Sequence, residues 1–338
     1  MALLDIKNLS IRYGTKSGYV KAVEDVTFSV SEGGTLGLVG ESGCGKTTIA
    51  KAIIKLLPRN GEISGGEILF KGRDLVGLTV EEIRRVRWEE IAIISQSAMN
   101  SLNPVVRVGN QIIEAMQTHR QASRNEANER MAEVFELVGL SYERARDYPH
   151  QFSGGMKQRA IIAMALLLEP DLIIADEPTT ALDVLVQDQI ISKIKELLNK
   201  LQNSMILITH DIAVVAETCE RMIIMYAGKI MEHADTDAIF YNPYNPYTLG
   251  LQNSFPSVKG SRRELISIPG FPPLLIDPAP GCRFAMRCPF TIPLCRELEP
   301  PLEEIETGHF SACHRSADVE ELRARSKEAK TWFSEKVA

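Results

Sequence analysis

Residues 40–48 read Gly40-Glu41-Ser42-Gly43-Cys44-Gly45-Lys46-Thr47-Thr48, the phosphate-binding pattern G-x-x-x-x-G-K-[ST]. The stretch follows an apolar run of strand length, Leu36-Gly37-Leu38-Val39, and precedes a helical pattern. This is the context the pattern requires, because glycines let successive N–H groups converge on an anion while the next helix directs its positive end at it. Lys46 adds a point charge for the β- and γ-phosphates, and the Thr47 hydroxyl suits Mg²⁺. Gly40, Ser42, Gly43, Cys44, Gly45, Lys46, Thr47 and Thr48 are therefore the candidate nucleotide contacts.

Working outward, two more apolar runs, Leu172-Ile173-Ile174-Ala175 and Met205-Ile206-Leu207-Ile208-Thr209, are separated from the first by helical patterns. Fully apolar strands alternating with helices predict a parallel sheet covered on both faces. The second run ends in Asp176-Glu177-Pro178, two carboxylates at the strand end where ligands of such sheets bind. Asp176 is suited to hold Mg²⁺ and Glu177 to polarise the attacking water. Residues 1–35 alternate as short antiparallel strands, and Val80–Trp88, Val108–Gln117 and Asn125–Val138 make the insertion between the first two apolar runs mostly helical, with a helical subdomain expected at about 97–165. The fold class is thus α/β, a P-loop NTPase with a mixed sheet core, an antiparallel β edge, a helical subdomain and a small irregular cysteine-containing extension.

Ser153-Gly154-Gly155-Met156-Lys157-Gln158-Arg159, before the apolar helix Ala160–Leu168 and roughly 20 residues ahead of Asp176, selects among such NTPases. Its small-residue opening presents a hydroxyl and N–H groups to an anion. Here the chain resembles the ATP-binding cassette family, and the resemblance covers residues 3 to about 235. It implies that Ser153, Gly154 and Gly155 complete the ATP site of the opposite subunit in a head-to-tail dimer. It further implies that Gln96 is the loop glutamine reaching Mg²⁺ and the lytic water. His210 would be the switch histidine at the γ-phosphate, Ala181-Leu182-Asp183 the loop crossing the dimer interface, and Tyr13 the ring stacked on adenine, with Tyr19 a second candidate. Glu177, His210 and Gln96 form the implied catalytic set.

Ser-Gly-Gly-Met, Ser101-Leu102-Asn103-Pro104, Tyr148-Pro149-His150-Gln151-Phe152 and Asn245-Pro246-Tyr247-Thr248 are similar to a narrower group, the dipeptide and oligopeptide importers, and to the first of their two ATPase paralogues. That resemblance implies an ATP-hydrolysing subunit on the cytoplasmic face of the cell membrane. Its partners would be a second ATPase subunit, identical or paralogous, two transmembrane permease subunits and, indirectly, an extracytoplasmic substrate-binding protein. Oligosaccharide and nickel importers are alternatives within transport; a soluble or redox-regulated ATPase of the same family is the alternative of another class.

The rest of the sequence fits this frame. A net charge of −6 supplies no global basic field for nucleic acid, and no nucleic-acid partner is expected. The N-terminus lacks a secretory pattern, and the most apolar stretch, Ile161–Ala175, is broken by Glu169, Pro170 and Asp171, short of the ~18 apolar residues of a span. Past residue 238 prolines accumulate, setting the expected division into a nucleotide-binding domain, 1–238, and an extension, 239–338, that ends in a terminal helix with Val319, Leu322 and Trp332 as apolar anchors. Within the extension Cys282, Cys288, Cys295 and Cys313 are spaced C-x5-C-x6-C-x17-C. Four thiolates suit Zn²⁺ or a [4Fe-4S] cluster, though the paired C-x2-C knuckles of zinc ribbons are missing, and free thiols or disulfides are the other reading. The family resemblance implies the iron-sulfur cluster.

Overall fold

A computed structural model describes residues 2–95, 101–120, 122–179, 183–254 and 265–333. The chain opens with β1 (Ala2–Thr15), β2 (Gly18–Ser31), β3 (Thr35–Val39), α1 (Lys46–Ile53), β4 (Gly61–Phe70), β5 (Arg73–Asp74), α2 (Val80–Val86) and β6 (Ile91–Ile94). It continues with α3 (Val108–Arg120), α4 (Arg124–Leu137), α5 (Gly154–Leu166), β7 (Leu172–Asp176), α6 (Val184–Leu201), β8 (Ser204–Thr209), α7 (Ile212–Thr218), β9 (Arg221–Tyr226) and β10 (Lys229–Asp235). The last part holds α8 (Thr236–Tyr241), α9 (Pro246–Asn253), α10 (Leu294–Glu297), β11 (Glu303–Glu306), β12 (His309–Ser311), α11 (Val319–Ser326) and α12 (Ala329–Trp332). No helix of the described residues is long and apolar enough to cross a membrane.

These elements form two compact units, one of Met1–Leu3, Val30–Thr35 and Gly77–Ile208, the other of Leu4–Ser29, Leu36–Val76 and Thr209–Ala338. In the first, β6, β7 and β8 run parallel, with Ile91 opposite Leu172 and Asp176 opposite Ile208. Leu172, Ile174, Ala175, Leu207 and Ile208 are all buried, which is why these strands read as unbroken apolar runs. Helices α3, α4 and α5 pack on one another as the helical part. Two of the unit's helices begin with reciprocal capping boxes, Thr79 with Glu82 at α2 and Ser123 with Glu126 at α4, each satisfying two otherwise orphaned N–H groups.

In the second unit β2, β1, β4 and β5 form an antiparallel sheet in that order, with Tyr13 opposite Gly61. Strand β3 pairs in parallel with β9, Leu38 opposite Ile223, and β9 pairs antiparallel with β10. The proline-rich tail does more than lie over other elements: the β11–β12 hairpin extends the β3–β9–β10 sheet beside β10, Glu232 facing Ser311. The added edge is anchored by a buried carboxylate. Glu232 accepts hydrogen bonds from the Tyr244 and Asn245 N–H groups and from His309 Nε2, at 2.6, 3.3 and 2.8 Å, the partners that make a buried acid tolerable. The terminal segment folds as two short helices, and its three apolar anchors are buried, Trp332 completely; the Trp332 indole N–H donates to Ser326 O at 2.8 Å.

Candidate functional site

The phosphate loop leaves β3 at Gly40, and its glycines are required by close approach. At Gly40 (φ 157°) a Cβ would stand 2.1 Å from Met225 O; at Gly45 (φ 109°) it would stand 2.6 Å from Ala22 O. Both are distances no side chain tolerates. Gly45 is also the N-cap of α1 and offers no capping side chain, the kind of helix start that receives an anion. Lys46 is 5% exposed and its ammonium donates to Gly40 O at 2.7 Å and Glu41 O at 3.0 Å, so the cation is held inside the loop's own curve. Cys44 is buried beside it, Sγ 3.5 Å from Lys46 Nζ, and desolvation pushes its thiol up. Ser42 and Gly43 are exposed; Thr47 and Thr48 are half-buried on the first turn of α1. Tyr13 joins them, its hydroxyl 3.1 Å from Thr48 Oγ1 and its ring against Gly61, where a Cβ would meet it at 2.6 Å. Tyr19 instead lies half-exposed under the Arg12 guanidinium, 4.1 Å from the ring centroid. The loop with its glycine cradle and enclosed lysine fits a nucleotide phosphate tail.

The carboxylate pair stands at the end of β7. Asp176 is 3% exposed, whereas Glu177 turns off the strand with φ 48°, its N–H held by Ile208 O at 2.8 Å. A left-handed glutamate costs on the order of 1 kcal/mol. His210 follows β8 at an exposed position, just before Asp211, whose carboxylate caps α7 by accepting from the Ala213 and Val214 N–H groups.

Ser153 and Asp183 are both helix caps. Ser153 Oγ accepts the Met156 N–H at the start of α5 (3.3 Å), and Asp183 Oδ1 accepts the Val186 N–H at the start of α6 (3.0 Å). Gly154 opens α5, and Gly155 lets the two helix starts meet, since a Cβ there would lie 2.7 Å from Val186 Cγ1. Gln96, Ala181 and Leu182 lie outside the described residues.

The cysteine segment overturns the expectation of an iron-sulfur cluster, and of zinc in its place. Cys282, Cys288, Cys295 and Cys313 line one small cavity of about 20 Å³, but they are free thiols. Among the described residues no group of three or more His, Cys, Asp or Glu side chains is placed to hold a metal ion. Burial pushes Cys282 up to about 11, Cys313 up to about 12 and Cys288 higher still. The segment serves packing instead, Cys288 lying against the buried cluster of Leu249, Phe290 and Leu322.

One set of contacts was not singled out in the sequence. Arg287, inside the cysteine segment, and Tyr247, on α9, both bond to Glu41 of the phosphate loop. Tyr247 lies in the Asn-Pro-Tyr-Thr signature, which marked a group without indicating a contact. Arg287 carried no signal, because a lone arginine among cysteines matches no motif.

Comparison with known proteins agrees with this geometry. Residues 23–180 match the family described as ABC transporter, and residues 231–295 match the oligopeptide/dipeptide transporter C-terminal region. A probable peptide ABC transporter ATP-binding protein of Sinorhizobium fredii is 48% identical, covering 95% of this chain and 97% of that protein. The oligopeptide transport ATP-binding protein OppD of Escherichia coli is 45% identical, covering 95% of each. Among solved structures, a dimeric bacterial ABC transporter cassette, MJ0796, superposes with a TM-score of 0.62 at 28% identity, covering 69% of this chain and 98% of that one. With its phosphate loop, its Ser-Gly-Gly helix start and near-full-length relatives of this kind, the chain belongs to the ATP-binding proteins of the ABC transporter family, in the branch that carries the oligopeptide/dipeptide C-terminal region.

Proposed function

We propose that this chain binds and hydrolyses ATP to drive uptake of dipeptides or oligopeptides through membrane permease subunits. The observation that carries the reading is the strand–loop–helix around Lys46, with its glycines held at close approach and its ammonium enclosed, in a chain whose near-full-length relatives are named for oligopeptide transport. Residues 1–238 act as the nucleotide-binding domain, with the helical subdomain at about 97–165, and 239–338 as its extension.

In this reading the loop from Gly40 to Thr48 holds the phosphates and Tyr13 meets the base. Mg²⁺, when bound, neutralises charge on the β- and γ-phosphate oxygens, and Thr47, Asp176 and Gln96 are the residues that would hold it. Glu177 takes the proton of the attacking water, and His210 senses the γ-phosphate. Ser153, Gly154, Gly155 and Asp183 act across a head-to-tail dimer with a second copy or a paralogous ATPase: closure on ATP and opening after hydrolysis are what would move the permease. The chain works peripherally at the cytoplasmic face of the membrane, where a substrate-binding protein on the far side contributes only indirectly.

The test compares ATP hydrolysis and elution volume in ATP for the full chain and for Glu177→Gln. Removing a general base costs roughly 100-fold or more in turnover; the variant is expected to retain ATP binding and to elute as a dimer. Wild-type turnover by Glu177→Gln overturns its assignment as the base. For the substrate, deletion of the chain in its host should abolish uptake of a labelled peptide, with rescue by the wild type and none by Glu177→Gln; unchanged peptide uptake overturns the peptide reading.

A further inference from the structure

The residue that follows the first glycine of the phosphate loop is gripped from outside the loop. Arg287 is 6% exposed and forks onto the Glu41 carboxylate, Nη1 to Oε2 at 2.7 Å and Nη2 to Oε1 at 3.0 Å. Its remaining N–H groups are also engaged: Nε on Pro269 O (2.8 Å), Nη1 on Tyr226 Oη (3.2 Å) and Nη2 on Ile268 O (3.3 Å). All five donors of the guanidinium are therefore used, which leaves the group one orientation. Glu41 is held a second time through its backbone, its N–H donating to Tyr247 Oη at 3.0 Å, and Tyr247 packs with Tyr226 and Phe284 at centroid distances of 4.7 and 5.2 Å. The Glu41 carbonyl is in turn one of the two that hold Lys46.

We propose that Arg287 is a positioning residue for the nucleotide site, through which the seating of the C-terminal extension sets the affinity of the phosphate loop for ATP. Two effects act together. The fork neutralises a carboxylate that otherwise stands unpaired beside a triphosphate, and it fixes the backbone carbonyl that orients the lysine. Because coupling between sites is reciprocal, nucleotide bound at the loop also tightens the extension. The inference rests on the reading of residues 40–48 as the ATP site.

The test is a titration of the full-length chain with a fluorescent ATP analogue, for wild type, Arg287→Met, Arg287→Lys, Glu41→Gln and the double variant Arg287→Met with Glu41→Gln, alongside thermal midpoints. Arg287→Met is expected to weaken binding about tenfold or more, within the usual span of coupled sites. Arg287→Lys, which keeps the charge and loses the fork, should fall between it and wild type. Adding Glu41→Gln to Arg287→Met should recover most of the loss, because the orphaned charge is gone; a merely structural role for the arginine gives no such recovery. Arg287→Met binding within about twofold of wild type, or an equal loss with and without Glu41→Gln, overturns the proposal. Should Arg287→Met fail to fold, Arg287→Lys decides: a loss of about threefold or more supports the proposal and wild-type affinity overturns it. Wild type that does not bind the analogue breaks the reading of the loop itself, a result distinct from these.

Discussion

The phosphate loop and the cysteine segment, both in the second unit, carry residue patterns suited to a bound group, yet only the loop meets the geometric requirement. In the loop the work would fall to backbone N–H groups and one lysine, and glycines at 40 and 45 leave the chain no other course past Met225 and Ala22. In the cysteine segment the work would have to be done by four converging side chains, and the structure gives free thiols around a small cavity, with no group of three or more ligating side chains placed for a metal ion among the described residues. Sites written in backbone conformation follow from local sequence; sites written in converging side chains depend on how distant segments dock.

The largest effect that would break this comparison is expected at Gly45. Gly45→Val places a branched side chain at φ 109° and against Ala22 O; strain of this kind costs roughly 1–3 kcal/mol before the clash is counted. ATP binding should be lost outright, read by titration with a fluorescent nucleotide, and binding within tenfold of wild type would show that the glycine is not needed. The next effect concerns packing of the extension. Phe284 is almost fully buried and lies edge-on to Tyr226 and Tyr247, so Phe284→Ala should cost about 3–5 kcal/mol in denaturant unfolding; a cost under about 1 kcal/mol would mean that the segment is not part of the core.

The smallest effect is a pH limb. Cys282 and Cys313 have folded values of about 11 and about 12 against an ordinary value of 9.0, so above pH 9 the unfolded chain releases protons that the folded chain keeps. Stability contributed by these two thiols is therefore full below pH 9 and is lost as pH rises through 11 to 12. The thermal midpoint of wild type should fall more steeply across that window than that of Cys282→Ala with Cys313→Ala. Equal slopes would mean that the thiols are already ionised in the folded state and that the contrast between the two regions does not hold.

Much of the architecture was legible in the sequence for identifiable reasons. The runs at 36–39, 172–175 and 205–209 became β3, β7 and β8 within a residue at either end, because strands buried on both faces admit no polar interruption. The helical patterns at 80, 108 and 125 became α2, α3 and α4, two of them started by side-chain capping boxes. The β11–β12 hairpin was not legible: Glu303–Glu306 is mostly exposed and charged, and it pairs only because Glu232, His309 and Asn245 anchor the chain at that edge.

The sequence by itself determined the class of this protein, the strand–loop–helix around Lys46 and the place of the two carboxylates at the end of β7, since each depends on neighbours a few residues away and on backbone rules that hold in any fold. Tertiary structure alone decided that the four cysteines are free thiols lining one small cavity and that Arg287, 246 positions from Glu41 in sequence, grips it. Burial energy and the partners of a buried charge are set by which surfaces come together, and no local pattern encodes that.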